Sequence, residues 1–397
     1  MHNFPPISGP RSFRWLNFVN ILSAKGWKID VLTVRPSPND SYYDEALMKE
    51  LSSEITIYRS YPGLYYSLQH IRKRPARGFP KATIEWLPFG LIRGFRIIKE
   101  RQYTLIISSG LPFVGHLIAY FLKKKEKIPW IADYGDPLAF NPSTSRLKKA
   151  VGKHIEERIL RDVDGIVVPF PEMKKSFIKF YPFLELKPFT AVRNGVNKKI
   201  KTIPPTDFPH KFVVSFVGSF YKGNIEPLEF FDALALLRNH AVSIDLQMII
   251  AGNTQAEFVK AARQKELNTL VDFKGQIPYT DAISLMKGTG IILYIGGQQK
   301  DYHFFYKIFE CAAAGRPIFA LKQSDMDLGA DFIEDQKIGM VIPNEKTKIA
   351  EALIHLHDLW KNNQLESTFQ RIDPNQFLWE KRGEELELFI KDVLYNR

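Results

Sequence analysis

The chain has a single cysteine, Cys311, in 397 residues, so no disulfide within it can staple the fold. It also lacks any apolar run near the roughly 18–20 residues that a membrane span requires. The richest stretch, Phe113 to Leu122, ends abruptly at Lys123, Lys124 and Lys125. The opening Met1-His2-Asn3-Phe4-Pro5-Pro6 has neither the basic nor the apolar region of a secretory signal, so a reducing, cytoplasmic setting is the expectation. No recognised nucleic-acid-binding motif is present. What is present is ordinary for a globular protein: 45% hydrophobic and 25% charged residues, which excludes disordered and fibrous architectures. The length exceeds what one hydrophobic core usually serves and predicts two domains.

Charge is unevenly spread. Residues 1–200 carry 33 Lys+Arg against 17 Asp+Glu and the remainder 22 against 26, so the halves differ at +16 and −4. A basic first half suits nucleic acid, an anionic membrane face or a phosphorylated ligand, and charge alone does not choose among them.

In the first half, Phe13, Leu16, Val19 and Leu22 keep helical spacing before Gly26, which predicts a helix over 11–25. Strand-like runs follow at Ile29 to Val34, Leu105 to Ile107, Trp130 to Ala132 and Ile166 to Val168, with helix-length segments between most of them. The second half repeats the rhythm at Phe212 to Val217, Leu246 to Ala251, Val271 to Phe273, Ile291 to Ile295, Pro317 to Leu321 and Met340 to Ile342. The expected class is α/β, with two doubly wound, Rossmann-like domains facing across a cleft. The boundaries read as 1–200, a proline-bearing linker over 201–210, 211–372, and a terminal segment 373–397 containing an amphipathic helix. One strand is missing from this scheme. A doubly wound domain opens with an apolar strand delivering the first glycine-bearing loop, yet here Pro5-Pro6-Ile7-Ser8-Gly9-Pro10 comes almost at once. The expectation is a start some residues upstream, the alternative being a sheet built without that strand.

Glycine-bearing loops after strands, at Gly218-Ser219-Phe220-Tyr221-Lys222-Gly223, Gly252-Asn253-Thr254 and Gly296-Gly297, suit a pyrophosphate held by helix N-termini, though any one of them serves equally as a plain turn. The sharpest segment is Phe305-Tyr306-Lys307-Ile308-Phe309-Glu310-Cys311, running on through Gly315-Arg316-Pro317 into a buried strand. Lys307 and Glu310 lie three apart near a helix start, placed to offer an ammonium to phosphate and a carboxylate to ribose hydroxyls. The plain alternative is a surface ion pair.

That segment resembles the nucleotide-sugar motif of family 4 glycosyltransferases, retaining enzymes of the GT-B fold, and especially their bacterial cell-surface polysaccharide branch. Further resemblances lie in Phe4 to Arg11, Asp133-Tyr134-Gly135-Asp136-Pro137, Arg193-Asn194-Gly195-Val196-Asn197 and Phe216-Val217-Gly218-Ser219. The resemblance implies that the second domain binds a nucleoside-diphosphate sugar and the first an acceptor, that neither metal nor cofactor is required, and that the C-terminal helix returns to the first domain. It implies Glu310 on the donor ribose, with Gly218, Ser219, Lys222 and Lys307 near the diphosphate and Gly9, Arg11 and Asn194 in cleft loops. Two departures stand out. Eight residues before Glu310, where many members carry a second glutamate, this chain has Tyr302, and Gly218-Ser219 replaces the usual Gly-Arg, leaving Lys222 or Lys307 to grip the diphosphate.

Other candidates have plain alternatives. His116, after a strand and a proline-bearing loop, is a catalytic candidate or a helix-packing residue, and Asp136, placed to face the cleft, is the other catalytic candidate, beside Asp133, which reads as a turn cap. Asp325-Met326-Asp327 mimics a metal-binding pair but reads as a helix N-terminus. Arg72, Lys73, Arg74, Arg77 and Lys81, set among Tyr61, Leu64, Tyr65, Tyr66, Phe79 and Trp86, suit a lipid headgroup interface or an anionic lipid-linked acceptor. The sequence thus points to a transferase moving sugar from a nucleotide donor to a glycan or lipid-linked acceptor, peripheral at the inner membrane face. A nucleotide-sugar epimerase on the same fold and a non-enzymatic nucleic-acid-binding protein are its rivals.

Overall fold

In the computed structural model, the described residues are all but 41, 65, 68–83, 111, 142–145, 209, 221, 240–244, 298–306 and 396–397. The chain divides into two compact units, one of Met1–Gly195 with Trp379–Arg397 and the other of Val196–Leu378. The sequence reading put a linker at 201–210, but the chain changes unit at 195/196. Val196 and Ile200 are buried in the second unit's core, and Thr206 N donates to Ser284 O at 2.9 Å. The prolines of this stretch interrupt regular structure without marking the boundary between cores.

The first unit has β1 (Asp30–Val34) paired in parallel with β2 (Thr56–Ser60), and a separate parallel sheet of β3 (Ile106–Ser109), β4 (Trp130–Asp133), β5 (Gly165–Val168) and β6 (Phe189–Ala191). The helix Pro10–Ala24 starts with proline at its first position after Gly9, where a missing N–H costs nothing, and buries Trp15, Phe18, Val19 and Leu22. The helix Trp379–Tyr395 packs on it through Phe18, Trp379, Leu386 and Ile390 in one apolar cluster. Gly195, at the exit from this unit, touches the backbone of Trp379 so closely that an added Cβ would lie 2.5 Å from its Cα.

The second unit is a six-stranded parallel sheet in the order β12-β11-β10-β7-β8-β9. These strands are β7 (Phe212–Val217), β8 (Leu246–Ala251), β9 (Val271–Gly275), β10 (Ile291–Ile295), β11 (Ile318–Lys322) and β12 (Gly339–Pro343). Alternate residues feed two cores: Phe212, Val214 and Phe216 face one, with Leu293 and Phe319, while Val213 and Val217 face the other, with Ile292 and Ile318. Apolar residues at both parities are what a sheet covered by helices on both faces demands. This is the doubly wound order, and its strand sequence reverses between β7 and β10. Ligands of such sheets bind at the carboxyl ends of the strands flanking that switch point.

Candidate functional site

The loops leaving β7 and β10 therefore define the candidate site of the second unit. After β7 come half-buried Gly218 and Ser219. Gly252, after β8, has a φ of 137° and an added Cβ would sit 1.8 Å from Gly218 O, so only glycine lets these two loop backbones meet. After β10, Gly296 lies against Asp327, whose Oδ2 would be 1.7 Å from a Cβ added there. Asp327 Oδ1 accepts from Gly329 N and Ala330 N, both at 3.1 Å, and from the Tyr294 hydroxyl at 2.9 Å. It caps the helix Leu328–Asp335, the role read for the Asp325-Met326-Asp327 stretch. Gln323 Nε2 donates to Gly296 O at 2.6 Å and to Asn224 O at 3.3 Å, tying together the loops after β7, β10 and β11. Sequence reasoning missed Gln323, because a single amide after a strand carries no pattern.

The helix Lys307–Ala314 follows β10, so its first turn stands at this same edge of the sheet. Lys307 Nζ is 2.8 Å from Glu310 Oε2, and the two side chains are 40% and 21% exposed. The ion pair offered as the plain alternative thus exists, and it sits at the switch-point edge of the sheet. Burial pushes the Lys307 pKa down, but the charge and hydrogen bond of Glu310 outweigh it and the net shift is upward. Burial and, after it, the Glu310 charge hold the Tyr279 phenol above its usual range, which places Tyr279 within electrostatic reach of the pair. Lys222 is 71% exposed and pairs with Glu257 Oε2 at 2.9 Å, so a phosphate would have to compete with that carboxylate for it.

In the first unit the carboxyl end of β4 holds a buried charge cluster. Asp133 accepts from Arg14 Nη2 at 3.0 Å and Trp15 Nε1 at 2.8 Å, and Arg11 Nη2 lies 3.1 Å from Oδ2. Arg11 also donates to Gly110 O at 2.9 Å, and Arg14 Nη1 to Asn194 Oδ1 at 2.8 Å. Burial raises the Asp133 pKa, but Arg11, Arg14 and the Trp15 hydrogen bond together hold it below its ordinary value. Asp133 is thus the anchor of the first helix, not the turn cap expected from sequence. Arg11 and Asn194, two of the expected cleft-loop residues, share this network, and Gly9 caps the same helix. The available signal was the i,i+3 pair Arg11 and Arg14 on a helix that also buries Trp15.

His116 is fully buried, stacks on Tyr134 at 4.4 Å between centroids, and meets Ser108 Oγ at 2.7 Å through Nδ1. Trp130 Nε1 donates to that same Ser108 oxygen, which leaves the hydroxyl proton for Nδ1 and puts the imidazole proton on Nε2. Nε2 has no hydrogen-bond partner among the described residues. Burial, and then the nearby Arg11 charge, push the His116 pKa down to about 3, so the ring is neutral. Asp136 is half-buried at the turn after β4. Most of the basic aromatic patch (Tyr65, Arg72, Lys73, Arg74, Arg77, Phe79 and Lys81) lies outside the described residues, as do Tyr221, Tyr302, Phe305 and Tyr306.

Two units built on parallel sheets, one with the full doubly wound order, are the architecture of GT-B glycosyltransferases. Sequence signatures agree in both halves: Glycosyltransferase Family 4 matches residues 14–199 and Glycosyl transferases group 1 matches residues 211–358. The chain belongs to the family 4 glycosyltransferases. No curated protein sequence matches it. Among solved structures, sucrose-phosphate synthase from Thermosynechococcus elongatus is 15% identical at a TM-score of 0.71, covering 98% of this chain and 95% of that one. Anabaena HepE in complex with UDP-glucose is 16% identical at 0.66, covering 98% of both chains. A Listeria monocytogenes protein assigned to the UDP-N-acetylglucosamine 2-epimerases is 10% identical at 0.61, covering 98% and 95%. At these identities the likeness is one of fold.

Proposed function

We propose that this glycosyltransferase is a retaining, metal-independent hexosyltransferase that moves a sugar from a nucleoside-diphosphate donor to a cell-surface glycan or lipid-linked acceptor. The observation that carries the donor reading is the Lys307–Glu310 pair on the first turn of the helix after β10, beside the switch point. Glu310 accepts ribose hydroxyls, and Lys307, with the adjacent backbone N–H groups of the helix start, meets the diphosphate. Breaking the anomeric bond puts growing negative charge on that diphosphate, so a positive group already fixed there favours the transition state over the bound donor. The complex of Anabaena HepE with UDP-glucose supports a nucleotide-sugar donor.

The first unit is assigned the acceptor. Its helix Trp86–Glu100 leaves Phe89 and Ile92 exposed, at 36% and 64%, beside exposed Arg96 and Lys99, and Leu64 and Ile84 are exposed nearby in sequence. Apolar side chains flanked by cations suit a peripheral, cytoplasmic-face contact with anionic lipid or with a lipid-linked acceptor. No described helix is long and apolar enough to cross a membrane. The test is incubation with a panel of nucleotide sugars. Slow donor hydrolysis, accelerated by a lipid-linked acceptor with transfer of the sugar, supports the reading. Epimerised nucleotide sugar without release of nucleotide refutes it.

A further inference from the structure

The turn that follows β4 is fixed by a buried carboxylate. Glu156, on the helix Arg146–Asp162, is 0% exposed. Its Oε1 accepts from Leu138 N at 2.7 Å, and its Oε2 accepts from Ala139 N and from the Tyr181 hydroxyl, both at 3.0 Å. Gly152, one helical turn earlier, lets Leu138 come close, since a Cβ added there would lie 3.0 Å from Leu138 Cγ. At the other end of the same turn, Tyr134 N donates to Val167 O at 2.8 Å. Gly135-Asp136-Pro137 is therefore a short span held at both ends. Gly135 also lies against Arg11, whose Nε would be 2.9 Å from an added Cβ.

Stability does not account for this arrangement. All three donors to Glu156 are neutral, and among the described residues no cation pairs with it. Arg158 of the same helix donates instead to the Tyr120 hydroxyl, and Lys153 lies over the Phe180 ring. Burial therefore dominates and pushes the Glu156 pKa up to about 7, against the pull of the three hydrogen bonds. With a folded value above the ordinary 4.5, the carboxyl group's contribution to stability is lost as pH rises from 4.5 through 7. A neutral amide in its place would cost the fold less at pH 8. Two phenols face Glu156, Tyr134 from the turn and Tyr181 from the cap of Pro182–Leu186. Burial, and then the Glu156 charge, hold both above their usual range, and Glu157 adds to this at Tyr181, so the carboxyl is the group of this cluster that titrates near neutral pH.

We propose that Glu156 is a positioning residue for glycosyl transfer, its carboxylate holding Leu138 and Ala139 so that Asp136 keeps one place at the carboxyl end of β4. The inference rests on the transferase reading above, with the acceptor on the first unit and Asp136 as the catalytic candidate there. Buried as it is, Glu156 acts only through the turn. Protonation weakens that hold, because a carboxyl proton on Oε1 would confront the Leu138 N–H. On Oε2 it would confront the Ala139 N–H even if the Tyr181 hydroxyl turned to accept it. The turn thus loosens as pH falls through about 7.

The test compares the full chain with Glu156→Gln, which is nearly isosteric and never ionises, and with Tyr181→Phe, which keeps the carboxylate and removes one donor. Amide exchange at Leu138 and Ala139, corrected for intrinsic rate, needs no substrate. In the parent their protection should fall about tenfold from pH 8 to pH 6, and in Glu156→Gln it should be low at both, with the Gly110 and Tyr134 amides unchanged. Hydrolysis of nucleotide sugars, with water in place of the acceptor, gives the second reading. The parent's kcat should fall as pH drops through 7, while Glu156→Gln stays at the low level throughout with donor KM unchanged and a Tm at pH 8 no lower than the parent's. Tyr181→Phe should move the parent's midpoint upward by about one pH unit. Parental exchange in Glu156→Gln would overturn the proposal, as would altered exchange with the parent's kcat and pH profile. So would a fall in Tm that tracks the loss of kcat. If no nucleotide sugar reacts, the donor reading fails, and exchange at Leu138 and Ala139 still decides whether Glu156 fixes the turn.

Discussion

Replacing Asp133 by Asn removes one charge from a buried set of three. Arg14 is 0% exposed and Asp133 1%, so Arg14 cannot turn to water once the carboxylate is gone. Breaking a buried pair from one side costs about 3–5 kcal/mol, because an uncompensated charge remains, and here Arg11 at 15% exposure recovers part of its hydration. The expectation is a loss near the lower bound, about 3 kcal/mol, which for a unit of this size lowers Tm by roughly 6–12 °C. The double variant Asp133→Leu with Arg14→Met should recover part of this, since it removes the fully buried pair with its desolvation cost, while Arg11 keeps its charge and Trp15 Nε1 loses its acceptor. Urea titration followed by tryptophan fluorescence reads both, with Trp15 in the affected cluster reporting on the first unit. A loss under about 1 kcal/mol for Asp133→Asn, or a double variant worse than the single, would refute the anchoring role.

Other outcomes follow from the same geometry. His116 sits at about 3 in the fold against 6.5 when free, so its contribution is fully present above pH 6.5 and is lost as pH falls toward 3. His116→Phe should flatten the stability profile across that window, leaving the part due to buried His2, which is pushed down to about 4. Gly252→Ala should cost about 2 kcal/mol or more and weaken donor binding, because its Cβ would meet Gly218 O at 1.8 Å, and thermal melts with and without nucleotide check both effects. Ser at both Phe89 and Ile92 should cut binding to anionic vesicles by about tenfold with donor hydrolysis intact, as a sedimentation assay will show.

The βα rhythm was legible because strands buried on both faces, such as Phe212–Val217 and Ile291–Ile295, read as nearly continuous apolar runs. Strand β2 was not, since Thr56–Ser60 is only half-buried throughout and mixes polar with apolar residues. The unit boundary was displaced because prolines report broken secondary structure, whereas Val196 and Ile200 report which core holds the chain. At the site, Lys307 and Glu310 were visible through helical spacing. Asp133 was misread because its partners lie 119 residues away, a separation that no local pattern reveals. Gln323 bonds only to backbone carbonyls, which are the same at every residue.

On this reading the pair at the start of helix Lys307–Ala314 holds a nucleoside diphosphate. Titrating UDP, GDP and ADP calorimetrically into the parent and into Glu310→Ala, with melting curves in parallel, tests it most directly. A carboxylate accepting two ribose hydroxyls contributes roughly 1.5–3 kcal/mol per hydrogen bond at most. Affinity for the preferred nucleotide should therefore weaken by about one to three orders of magnitude, at nearly unchanged Tm. Lys307→Ala should lower turnover more than donor affinity. Unchanged nucleotide affinity in Glu310→Ala, with only a few tenths of a kcal/mol lost in stability, would contradict the account and leave a surface ion pair in its place.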